Sequence, residues 1–70
     1  MRSNAKLPKI LGQKIAKRRI DVNLTQEELA EKVGISRVYM GYIEQGRNAP
    51  SLEVLQKIAS TIKVKISDLL

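Results

Sequence analysis

The stretch "AEKVGISRVYM", residues 30–40, decides the fold. Its apolar spacing is helical on both sides of Gly34, yet a glycine inside a helix costs about 1 kcal/mol relative to alanine. A glycine there marks a turn between two short helices. Upstream, Thr25 and Glu28 have the spacing of a capping box, which opens a helix with Leu29, Ala30 and Val33 as its apolar positions. Downstream, Ser36 caps the next helix, Met40 and Ile43 face inward, and Gly46 stops it.

The same logic extends to both ends of the chain. Leu7, Leu11, Ile15 and Val22, with Ile10 beside them, recur near a 3.6-residue period and predict a first helix over residues 8–22. Asn23, which tolerates the left-handed conformation, ends it. After the loop "GRNAPS" (residues 46–51), Ser51 caps a fourth helix whose face is Leu52, Leu55, Ile58, Ala59 and Ile62. A last capped turn is predicted from Ser67. The alternation "IKVKI" (residues 62–66) has the period of a strand, but a single strand has no partner, so helix and turn is the better reading.

Composition narrows the function. Seventy residues make one small domain, and such a domain buries only about 60% of the surface its unfolded chain exposes. It has little room for a pocket. The absence of cysteine and histidine excludes disulfides, zinc sites built on thiolate or imidazole, and histidine-based nucleophilic triads. Lysine and arginine number 13 against 7 acids, net +6, and residues 1–20 hold seven basic side chains and no acid. The expected partner is a polyanion. A helix lying on an anionic membrane needs exposed Trp, Phe or Leu opposite its basic face, and the chain has no Trp or Phe. The plainer alternative is a basic surface that serves solubility alone. Residues 1–8, "MRSNAKLP", lack the apolar core of a signal peptide, and no apolar run approaches the roughly 18 residues of a membrane span. A soluble cytoplasmic protein is expected, with no cofactor, no metal and no small-molecule ligand.

With Met40 and Ile43 inward, the outward stripe of the third helix is Arg37, Val38, Gly41, Tyr42 and Gln45, linked by steps of three, four and seven. It contains no acid. An acid-free face led by an arginine is what a helix entering the major groove of DNA requires. Arg37 is placed to donate two hydrogen bonds to guanine O6 and N7, against the alternatives of phosphate contact or solvation. Val38 is either a contact for a thymine methyl or a surface valine. Gly41 either admits DNA backbone closely or sits at a tolerant site. Ala30 is small because the second and third helices cross steeply, and Gly34 must accept positive φ.

Residues 26–45 resemble the helix-turn-helix of the Cro and phage-repressor (XRE) family of DNA-binding domains. The match runs through Leu29, Ala30, Val33, Gly34, Ile35, Met40 and Ile43. It continues through Arg19, Glu44, Gly46, Pro50, Ser51 and the fourth helix, and covers residues 10–70. The resemblance implies an all-α, compact four- to five-helix lambda-repressor-like DNA-binding domain over residues 8–70. Residues 1–7 would be a flexible basic arm.

Further roles follow from the resemblance alone. Gln26 matches the residue that opens the second helix and binds phosphate, and an amide at a helix N-terminus is suited to that. Tyr39 matches a position that contacts backbone or base, and Tyr42 one that reads bases. Tyr39 is the tyrosine expected to pack on the core edge. Arg47 and Asn48 occupy the loop that meets the sugar-phosphate strand. With Ser36, Arg37, Val38 and Gly41 these complete the expected DNA-binding set. Arg19 and Glu44 match a structural ion pair joining the first helix to the end of the third. Lys14, Lys17 and Arg18 supply general attraction, although Arg18 stands where many relatives have an apolar residue. Val64, Ile66, Leu69 and Leu70 match the region of the two-fold contact. The chain stops one turn into the fifth helix, which leaves a small dimer completed on DNA or a fragment of a longer regulator.

The function implied is a sequence-specific transcriptional regulator that binds an inverted repeat in double-stranded DNA as a homodimer. Its recognition helices would lie about 34 Å apart. The chain resembles short stand-alone regulators such as restriction-modification controller proteins and phage repressors, and the run "SRVYMGYIEQGRNAPSLEVL" looks most like the controller and general regulator types. The alternative is a protein-interaction module, such as an antitoxin or coactivator-like domain, with incidental DNA binding. An enzyme lacks a base, a metal site, a phosphate-binding glycine loop and a pocket.

Overall fold

The computed structural model describes residues 7–70. They form α1 (Leu7–Asp21), α2 (Gln26–Val33), α3 (Arg37–Gln45), α4 (Leu52–Thr61) and α5 (Ile66–Leu69), with no strand among the described residues. The all-α expectation of four to five helices holds. Of the expected arm, Leu7 is already helical, and residues 1–6, with Arg2 and Lys6, lie outside the described residues.

The helices α2, α3 and α4 begin where their caps predict. The Thr25 hydroxyl accepts from Glu28 N–H at 3.0 Å while the Glu28 carboxylate accepts from Thr25 N–H at 2.9 Å. Ser36 and Ser51 accept from Tyr39 N–H and Val54 N–H at 3.0 and 3.2 Å. Such caps contribute about 1 kcal/mol each. The ends of α1 to α4 share one device, a left-handed residue just past the helix: Asn23, Gly34, Gly46 and Lys63 have φ of 64°, 89°, 79° and 62°. The chain reverses there because the following N–H groups turn back onto the last carbonyls.

Ile15, Leu29, Met40, Ile43, Ile58 and Ile62 are fully buried where α1, α2, α3 and α4 converge, with Ala30, Val33, Leu55 and Ala59 around them. Each large aliphatic side chain contributes about 1.5–3 kcal/mol by leaving water. The inward assignments of Leu29, Ala30, Val33, Met40 and Ile43 are all met. Packing of α1 on α3 depends on Gly12, which is buried. A Cβ there would lie 2.5 Å from Glu44 O and closer still to Ile43 O. The approach of the two backbones outweighs the helix-propensity cost of a glycine.

Some expectations need correction. Leu52 is 66% exposed, because it lies in the first turn of α4, before the stretch from Leu55 to Ile62 that packs inward. The final helix starts at Ile66 rather than at a Ser67 cap, and the Asp68 carboxylate holds Lys65 N–H at 3.0 Å. Leu69 is 3% exposed and belongs to the core, since α5 folds back against α4 and α1. Arg18 also has a structural role: its Nε donates to Ile62 O at 2.9 Å and its Nη2 to Lys63 O at 3.4 Å, closing the C-terminus of α4. A cation there complements the helix dipole.

The two roles of glycine, a left-handed turn at Gly34 and a close helix approach at Gly12, are separable by experiment. A Cβ at Gly34 would meet nothing within 4 Å, so Gly34→Ala should cost only the left-handed penalty of about 1–2 kcal/mol. Gly12→Ala should lower the melting temperature further, although alanine is the better helix former. Thermal unfolding followed by circular dichroism checks the order, and the reverse order would contradict the α1–α3 approach.

Candidate nucleic-acid interface

The turn between α2 and α3 is built by Ala30 and Gly34. The Ala30 carbonyl accepts from Gly34 N–H at 2.8 Å and from Ile35 N–H at 3.0 Å. Ala30 itself is 2% exposed, with no room for a longer side chain where α2 meets α3. This geometry delivers the N-terminus of α3 to the surface.

There the α3 face divides as expected, with one exception. Arg37, Val38, Tyr42 and Gln45 are exposed, whereas Met40 and Ile43 are buried. The first turn of α3 carries no acid, in contrast to Glu27 and Glu28 in the first turn of α2. Arg37 thus places a cation at the positive end of a helix dipole, which lowers helix stability slightly. The exception is Gly41, which is buried rather than on the outward stripe. The Gln26 side chain covers it, and a Cβ at Gly41 would sit 3.6 Å from Gln26 Oε1, an ordinary contact. Tyr39 is half-buried and packs on the core, as expected of the two tyrosines.

Beneath this face lies a charged clamp. Arg19 Nε donates to Glu44 Oε2 at 2.7 Å and Arg19 Nη2 donates to Glu44 Oε1 at 3.1 Å, a bidentate pair with side chains 13% and 5% exposed. Arg19 Nη1 also donates to Leu24 O at 2.7 Å, in the turn that ends α1. Glu44 Oε1 further accepts from Gln26 Nε2 at 2.9 Å. A carboxylate only accepts, so the Gln26 amide must turn its nitrogen inward, leaving one N–H of that group free. The Arg19–Glu44 pair matches its sequence expectation; the link to Gln26 was not legible in spacing.

The loop after α3 has a specific geometry too. Gly46 N–H returns to Ile43 O at 3.1 Å and Arg47 N–H to Tyr42 O at 2.8 Å. A Cβ on Gly46 would come 2.6 Å from Lys9 Cα, so glycine is required there by φ and by space. The Arg47 guanidinium carbon lies 4.8 Å from the centre of the Tyr42 ring. Asn48 is exposed beside it, and Ser36, Lys14 and Lys17 are exposed elsewhere on the surface. The result is an array of hydrogen-bond donors and one aromatic ring on an exposed helix, suited to reading a polyanion.

Loss of the clamp should be costly. Glu44→Ala leaves Arg19 buried without its partner, at an expected cost of about 3–5 kcal/mol, close to the whole stability of a small domain. Gln26→Ala, which removes one hydrogen bond at the edge, should cost about 1 kcal/mol. Urea unfolding of the two variants checks the difference, and equal costs would show the pair to behave as a surface contact.

Comparison with known proteins agrees with the fold. A family model described as Helix-turn-helix matches residues 15–69. An uncharacterised HTH-type transcriptional regulator of Methanocaldococcus jannaschii is 51% identical over 47 residues, spanning 67% of this chain and 71% of the relative. The crystal structure of the restriction-modification controller protein C.AhdI from Aeromonas hydrophila superposes with a TM-score of 0.85 at 30% identity, over 90% of this chain and 96% of that one. SinR of Bacillus subtilis is 32% identical over 62 residues, spanning 87% of this chain and 56% of SinR. The structure of SinR, the master regulator for biofilm formation, in complex with DNA superposes with a TM-score of 0.79 at 32% identity, over 84% and 95% of the chains. Among the described residues, no helix is long and apolar enough to cross a membrane. The fold, the α2–α3 turn and these similarities together place the chain in the Cro and phage-repressor (XRE) type helix-turn-helix family of DNA-binding transcriptional regulators.

Proposed function

We propose that this chain regulates transcription by binding an inverted repeat in duplex DNA as a homodimer, with α3 in the major groove. The observation that carries the reading is the acid-free exposed face of α3, led by Arg37 at a helix N-terminus. A phosphate backbone excludes carboxylates from such a face, and an arginine at its leading edge reaches guanine O6 and N7 together. Val38, 56% exposed, meets a thymine methyl, and Tyr42, 38% exposed, reaches a base edge further along the groove.

The flanks contact the strands. Ser36 has its hydroxyl proton free while its oxygen caps α3, and Gln26 retains one N–H beyond its bond to Glu44; both are offered to phosphate. Tyr39 contributes its hydroxyl, and Arg47 and Asn48 border the other strand. Gly41 lies beneath the Gln26 side chain, where even a Cβ would make only an ordinary contact, so its part in the interface is limited to backing Gln26. The two-fold contact uses Leu70, which is 74% exposed, with the uncovered edges of Val64 and Ile66; Leu69 is already committed to the core.

Selection from random duplex DNA at roughly physiological salt tests this directly, because non-specific binding is weak there. The expected product is an inverted repeat with half-site centres about one helical turn apart. Against that site, Arg37→Ala should relax preference at one base position by about 1–3 kcal/mol. Lys17→Ala should weaken all sequences alike and reduce the salt slope. Recovery of no motif by folded protein would overturn the proposal and favour a protein partner instead.

A further inference from the structure

We infer that Arg47 is a positioning residue for Tyr42: its guanidinium stacks on the ring and holds it in a reading orientation before DNA arrives. The inference rests on the reading that α3 enters the major groove. It replaces a phosphate contact by Arg47 with an action through another side chain.

The backbone makes the stack. Gly46 is left-handed, its N–H returns to Ile43 O, and Arg47 N–H returns to Tyr42 O. In this C-terminal motif the residue two past the helix end is laid against the residue three before it, usually as a hydrophobic contact. Here those residues are Arg47 and Tyr42, so the contact becomes a cation facing an aromatic ring, 4.8 Å from the guanidinium carbon to the ring centre. That lies within the roughly 6 Å at which a cation is attracted to a ring face. The ion pairs among the described residues are Arg19–Glu44 and Lys57–Glu53, and Arg47 takes part in neither.

The consequence concerns entropy. Tyr42 is 38% exposed on a helix surface, and without a neighbour its ring would exchange rotamers in solution and lose that freedom on binding. Arg47 covers one face and leaves the ring edge and hydroxyl to the groove. The planar guanidinium suits this task; a lysine carries the same charge but as a compact, strongly hydrated point. Gly46 sits upstream of the device, since its cap sets where Arg47 falls, and its close packing on Lys9 ties that cap to α1.

The test begins with the free protein. Tyr39 and Tyr42 are the sole aromatic residues, so their ring resonances are readily distinguished by nuclear magnetic resonance. Arg47→Ala and Arg47→Lys should both shift the Tyr42 ring signals and broaden its rotamer distribution, leaving the Tyr39 signals unchanged and lowering the melting temperature by no more than a few degrees. On the selected operator, both variants should lose about three- to tenfold in affinity, confined to discrimination at the base beside Tyr42. The salt slope should stay as in the parent, and in a Tyr42→Leu background Arg47→Ala should have no further effect on discrimination.

A phosphate contact gives a different pattern. Arg47→Lys would then retain most affinity, and Arg47→Ala would weaken specific and random DNA alike with a salt slope lower by about one, in both backgrounds. That result, or Tyr42 resonances indifferent to Arg47, overturns the inference while leaving the regulator reading intact. If the parent protein selects no operator, the regulator reading itself fails and the role of the stack in DNA reading fails with it.

Discussion

The Glu44 carboxylate is the constraint on which the rest of the molecule depends. It lies at the end of α3, is 5% exposed, and takes the fork of Arg19 from α1 and the amide of Gln26 from α2. A buried charge of this kind is tolerated only when its lone pairs are filled, and here two are filled from α1 and one from α2. Arg19 extends the network to the Leu24 carbonyl, fixing the turn between α1 and α2. Helix α3 is therefore held by charge at its C-terminal end and by the Ala30–Gly34 turn at its N-terminal end. Its exposed face is free to carry side chains that contribute nothing to folding.

Stability and surface chemistry meet again at the helix ends. Left-handed residues close α1 to α4, and the backbone reversal at each decides which side chain lands on which. At Gly34 the reversal aims α3. At Gly46 it lays Arg47 on Tyr42 and brings the loop against Lys9. Two glycines thus set the exposed face of α3, one through φ alone and the other through φ and close packing.

Much of this was legible in the chain. The caps at Thr25, Ser36 and Ser51 and the breaks at Asn23, Gly34 and Gly46 are local effects, governed by residues a few positions apart, and all of them hold. The inward faces of α2 and α3 follow from periodicity for the same reason. Readings that failed depended on what a helix packs against: Leu52 has the phase of a core residue but lies outside the packed stretch, and Leu69 has the look of an interface but fills the core. Gly41 was misplaced because a glycine has no side chain to reveal that Gln26 covers it. The Arg47–Tyr42 contact was recoverable in principle, since a glycine cap implies contact between those two positions.

The sequence by itself determined the order and ends of the helices, the acid-free stripe of α3 and the family resemblance, because each is written in short-range spacing. Tertiary structure alone decided that Gly12 admits α1 onto α3, that Arg18 closes α4 rather than waiting for a polyanion, and that Gln26 answers to Glu44. Those contacts join residues 18 to 44 positions apart or depend on two backbones meeting. Nothing in a one-dimensional pattern encodes where such surfaces come to rest, since that is settled by the joint packing of every helix at once.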